Sequence, residues 1–126
     1  MKLRIQGDSL RLRITPSEMT RLMEKGRIAE TIHFGVDDNA RLTYALEHAE
    51  QAQTIAVRHG TEEIAVVISL RDALRWSSTT EIGLYGELAT TDGRLLVAIE
   101  KDFACLDKSD GENADRFQNP SKGETC

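Results

Sequence analysis

The chain has 126 residues, 40% hydrophobic and 29% charged, which fits one ordinary globular domain and excludes wholesale disorder. Its net charge of −5 argues against nucleic acid as a generic partner, since that affinity rests on neutralising phosphates. No apolar run approaches the roughly 20 residues a membrane span needs, and two cysteines, Cys105 and Cys126, are too few for a disulfide framework.

From the N-terminus, Lys2 to Gln6 alternates, with Leu3 and Ile5 on one face and Lys2, Arg4 and Gln6 on the other. Gly7-Asp8-Ser9 is a turn signal, and Leu10 to Ile14 alternates again, so this segment reads as a β-hairpin. It lacks the continuous apolar stretch of a signal peptide, and the expectation is a cytoplasmic protein with no membrane partner. Thr15-Pro16-Ser17-Glu18 is a helix start: a capping threonine, a proline pre-set for the first turn and a glutamate that completes the capping box. Met19, Leu22 and Met23 supply the apolar face of that helix, and Gly26 ends it. Ile28 to Phe34 and Arg41 to His48 read as two strands around the turn residues 35–39. Thr54 to His59 and Ile64 to Ser69 are two more. Ser69 and Asp72 open a second short helix through about Trp76. Ile82 to Leu88 and Arg94 to Lys101 form the last hairpin, turned at Asp92-Gly93.

The expected fold class is α+β, with about eight short, mainly antiparallel strands and two short helices. The order strand-strand-helix-strand-strand occurs twice. A constant offset puts Thr15 on Ser69, Glu18 on Asp72, Leu22 on Trp76, Leu12 on Val66, Ile14 on Ile68 and Leu42 on Leu96. That is the pattern of a duplicated ββαββ unit, although hairpins followed by capped helices also look alike without one. The expected core is Leu3, Ile5, Leu12, Ile14, Leu22, Ile32, Phe34, Leu42, Val66, Ile68, Trp76, Leu84, Leu96 and Val97. The domain is expected to span 1–106. The polar segment 107–126 follows as a tail whose composition favours disorder, while Phe117 and Asn119-Pro120 offer means of docking it.

The opening MKLRIQGDSLRLR, the stretch AETIHFG, the run IEKDFACLD and the tail DRFQNP together resemble a family of small bacterial proteins that is a domain of unknown function. The resemblance spans nearly the whole chain. Its specific pieces are Glu100-Lys101-Asp102-Phe103 with Cys105-Leu106, and Asp115 with Phe117, Asn119 and Pro120. It implies a bacterial, cytoplasmic protein whose tail belongs with the fold, and it supplies no mechanism. The family form has a proline where this chain has Gln118.

Four groupings bear on chemistry. Lys2, Arg4, Arg11 and Arg13 project from one side of the first hairpin, where arginine forks can hold a phosphate or carboxylate; the plain alternative is a solvated face balanced by nearby acids. Eight strands in two similar halves also resemble the triphosphate tunnel enzymes, whose first strand opens with alternating, metal-coordinating glutamates. Here Lys2-Leu3-Arg4-Ile5-Gln6 has no acid, so the metal-holding half of that site is missing. Asp102, Cys105, Asp107 and Cys126 carry zinc-type donors, but in no paired spacing such as CxxC, and His33, His48 and His59 are scattered. Cys105 reads instead as a core thiol and Cys126 as a loose one. No motif groups a nucleophile with a base. The functional expectation is therefore a small binding or interaction module without a cofactor, its partner a small anion or a protein. The alternative is an anion- or phosphate-ester-binding enzyme using the basic face. Finally, the first hairpin carries a net charge of +3 and residues 107–126 a net of −2, which would favour docking the tail over the open hairpin edge.

Overall fold

The structure is a computed structural model that describes residues 1–51, 53–104 and 114–118. Strands form where the apolar residues alternate. β1 (Lys2–Gln6) and β2 (Ser9–Ile14) pair antiparallel, with Leu3 opposite Leu12 and Ile5 opposite Leu10. Gly7 makes the turn at φ 53°, a left-handed conformation that a side chain would disfavour. In α1 (Pro16–Lys25) the full capping box forms: the Glu18 amide donates to the Thr15 hydroxyl, and the Thr15 amide donates to the Glu18 carboxylate at 2.9 Å. Gly26, at φ 80°, ends the helix. β3 (Arg27–His33) and β4 (Arg41–Ala49) form the second hairpin, and β5 (Ile55–His59) and β6 (Glu63–Ser69) the third. Ser69 caps α2 (Leu70–Ser78), and β7 (Gly83–Thr90) with β8 (Gly93–Lys101) closes the series.

These eight strands form two four-stranded sheets. Sheet I has the order β1-β2-β8-β7 and sheet II the order β3-β4-β6-β5. Hairpin partners are antiparallel, as short connections require. The two seams, β2 with β8 and β4 with β6, are parallel, and each joins the first half of the chain to the second. Exchanging the halves turns β1-β2-β8-β7 into β5-β6-β4-β3, which is sheet II read from its other end. The constant offset carries β1, β2 and α1 onto β5, β6 and α2, but does not extend past the helices. Leu10 pairs with Val97 while its counterpart Ile64 pairs with Tyr44, so Leu42 corresponds to Leu95 and not to Leu96.

The core lies between the inner faces of the sheets and the two helices. Leu12, Ile14, Leu22, Leu46, Val66, Ile68, Trp76 and Ile99 are fully buried there, and the Trp76 indole donates to the carbonyl of Ile82 at 3.1 Å. Four expected core residues are exposed. Leu96 is 50% exposed while Val97 beside it is 2% exposed, because consecutive strand residues face opposite ways and only one can enter the core. Ile5 and Ile32 do lie on the inner faces, but on the edge strands β1 and β3, and Phe34 lies just beyond the end of β3. Leu3 and Leu42 are half-buried. The edges differ at one pair of corresponding positions. β5 packs on β7, where Gly86 lets Ile55 approach so closely that an added Cβ would lie 3.3 Å from it. The corresponding place on β3 holds Glu30, whose carboxylate meets the α-amino group of Met1 at 3.3 Å, so β1 stands off by a side chain. Among the described residues, no helix is long and apolar enough to cross a membrane.

Candidate functional site

The register of sheet I brings the four basic residues together on its outer face. Lys2 is directly opposite Arg13, and Arg4 directly opposite Arg11. Like charges in directly opposed positions destabilise a sheet, by something within the range of about 0.2–1 kcal/mol for cross-strand pairs. β8 lies beside β2 and adds Leu96, Ala98 and Glu100 to the same face; β7 adds Tyr85 and Glu87. Arg11 Nε is 3.1 Å from Glu100, whose other oxygen accepts from the Tyr85 hydroxyl at 2.8 Å. Burial, and then the Glu100 carboxylate, push the Tyr85 hydroxyl up to about 12, so it stays a donor. Arg4 donates to Gln6 at 3.0 Å, and Lys2 lies 3.2 Å from Asp102. Arg13 is exposed and has no ion-pair partner among the described residues. Between the Arg11–Tyr85 row and the Ser9–Leu96–Glu87 row runs a groove of about 680 Å³ that crosses β2, β8 and β7.

The outer face of sheet II provides an internal comparison. Its central row is Ala29, Ala45 and Ala65, of which Ala45 and Ala65 are buried. Beside that row Arg27 bridges Glu47 and Glu63. Arg58 donates to both oxygens of Glu47, at 3.0 and 2.6 Å, and lies 3.6 Å from Glu63. The Arg58 guanidinium, helped by Arg27, holds the Glu47 carboxyl below the usual carboxylate range. Charge on this face is matched residue for residue, whereas sheet I keeps cations in excess.

A second, polar cleft of about 350 Å³ lies at the start of α1, lined among others by Lys2, Ser17, Arg21, Asp102, Asp115 and Arg116. Residues 114–118 form one wall. The Asp115 carboxylate accepts from the Ser17 hydroxyl at 2.6 Å, and Arg116 lies 3.4 Å from Asp102. Phe117 makes an isolated bridge with Phe103, and the two rings meet edge to face at 6.1 Å. Beneath Phe117 the buried Lys101 ammonium lies 5.5 Å from its ring and donates to the Thr79 carbonyl at 2.7 Å. Burial holds that ammonium below the usual lysine range. The described part of the tail thus lies beside residues 102–104 and α1, in a cleft that Lys2 at the start of β1 also lines.

Of the four zinc-type donors, Cys105, Asp107 and Cys126 lie outside the described residues, as do Asn119 and Pro120. Asp102 is buried between Lys2 and Arg116. Among the described residues no group of three His, Cys, Asp or Glu side chains could hold a metal ion. Sequence reasoning missed Tyr85, Leu96 and Glu100 as neighbours of the basic face. Period two could have moved Leu96 outward, but only the parallel β2–β8 seam places it beside Arg11.

A family described as "Family of unknown function (DUF7009)" matches residues 1–121 of the chain. No curated protein and no solved structure matches it.

Proposed function

We propose, from the premise that the chain belongs to this family of unknown function, that it is a small binding module whose outer sheet I face holds the anionic groups of a partner. One observation carries this reading: two successive like-charge pairs, Lys2 with Arg13 and Arg4 with Arg11, stand on one face. Their mutual repulsion is relieved when carboxylates or phosphates settle between them. The matched charges of sheet II mark the difference between a face that satisfies itself and one that does not. The enzyme alternative draws no support from the architecture. The eight strands make two separate sheets, the cations face outward, and β1 carries no acid.

The test is fluorescence anisotropy with labelled polyglutamate, and polylysine as the control. Wild type is expected to bind polyglutamate in a salt-dependent manner. Arg4→Ala combined with Arg13→Ala is expected to weaken binding about tenfold, and Arg94→Ala to change it little. Equal affinity in the double variant and the wild type would remove the basic face from consideration. A large thermal shift that needs both magnesium and tripolyphosphate would instead revive the enzyme reading.

A further inference from the structure

We infer that the groove across sheet I selects an acidic protein segment carrying one bulky apolar side chain, which seats between Leu96 and Tyr85 beside the arginines. The inference rests on the reading of the basic face given above and adds the partner's chemistry to it.

The groove's floor is small, Ser9 and Ala98, and its walls are Arg11 and Tyr85 on one side, Leu96 and Glu87 on the other. Tyr85 is 57% exposed and Leu96 half exposed, so two large side chains offer apolar surface to solvent beside Arg11, which stands opposite Arg4. The fold does not demand this. At the corresponding positions of sheet II, Leu96 is matched by Thr43, Tyr85 by Ala29, Ala98 by Ala45 and Arg11 by Ala65. The same backbone is therefore satisfied with small residues roofed by paired charges. Sheet I has the exposed Leu96 and Tyr85 and surplus cations instead, the composition of a contact surface with an anchor site and a polar surround.

Charge complementarity picks the occupant. The groove opens at its Arg11 end toward Arg4 and Arg13, so a segment crossing the strands meets cations on that side of its apolar anchor. The Glu100 carboxylate, which accepts from Tyr85 and pairs with Arg11, fixes the wall those two residues make. The site is a shallow trough across an open sheet face, whose shape suits a chain laid over it.

The experiment compares three labelled nine-residue peptides by anisotropy: an acidic one with a central leucine, the same with a central serine, and a neutral one with the leucine. Wild type is expected to bind the acidic leucine peptide about tenfold tighter than the acidic serine peptide, and both tighter than the neutral one. Leu96→Asn, at an exposed position where folding is retained, is expected to abolish the leucine preference. Arg4→Ala is expected to weaken both acidic peptides by the same factor. Equal binding of the two acidic peptides to wild type overturns the groove inference and leaves the basic face standing. Failure of either acidic peptide to exceed the neutral one overturns both. Decanoate or phosphatidylglycerol vesicles binding more tightly than the leucine peptide, with the same dependence on Leu96, overturns the assignment to a protein segment.

Discussion

Gly83 carries a constraint that its neighbours do not. A Cβ there would fall 2.5 Å from the carbonyl oxygen of Ile99, a backbone atom in the β7–β8 ladder that cannot move aside. Gly83→Ala is expected to cost about 1–3 kcal/mol in urea unfolding. Gly60→Ala, with nothing within 4 Å, is expected to be neutral or to stabilise by about 0.4–1 kcal/mol. Glu47 sets a pH dependence. Its carboxyl is held low by Arg58 first and Arg27 second. A depressed folded-state value means stability that is full above the ordinary carboxylate range and is lost as pH falls through the folded value. Glu47→Gln should therefore lower stability at neutral pH by about 1 kcal/mol, the upper end for exposed pairs, and wild type and variant should converge in acid. Denaturant midpoints at neutral and acid pH check this. Which faces Lys2, Arg4, Arg11 and Arg13 occupy was legible from alternation alone. Leu96 beside Val97 was not placed correctly, because an apolar run looks the same whichever of its residues points inward.

Both helices were legible as elements, since Thr15 with Glu18 and Ser69 with Asp72 are local signals, and both caps form as written. Thr15→Ala is expected to cost about 1 kcal/mol, seen as a lowered thermal midpoint. The hairpins were equally local. The parallel seams were not, because nothing in residues 9–14 names residues 96–101 as their neighbours. For the same reason the basic face was legible but the groove beside it was not: two thirds of its lining arrives from β7 and β8. The segment 114–118 makes contacts whose strength can be apportioned. Phe117 is half-buried against Phe103 and Lys101, while Asp115 is held at the surface by Ser17. Phe117→Ala is expected to cost about 1–1.5 kcal/mol, half of what full burial of such a side chain gives, and Asp115→Asn less than that. Thermal unfolding of the two variants separates them. Equal effects would mean that charge holds the segment and not the ring.

At the scale of the molecule, the halves are alike in strand order, yet each sheet takes two strands from each half. Neither half has a complete sheet of its own. Residues 1–51 made alone are expected to give a poorly dispersed amide NMR spectrum, and adding residues 52–126 is expected to restore the dispersion of the whole chain. A folded spectrum from 1–51 alone would contradict the interleaving. The seams also bear on how the protein is made. Ser9 pairs with Leu96, 87 residues later in the chain. At roughly 5–20 residues per second, β2 waits about 4–17 s on the ribosome before its partner has been synthesised. During that interval the inward edge of β2, the one destined for β8, stands open together with the apolar face behind it, and the inward edge of β4 stands open for the 20 residues until β6 is made. A nascent chain of this design needs something to occupy those edges, or to keep neighbouring nascent chains from doing so, until its last hairpin emerges.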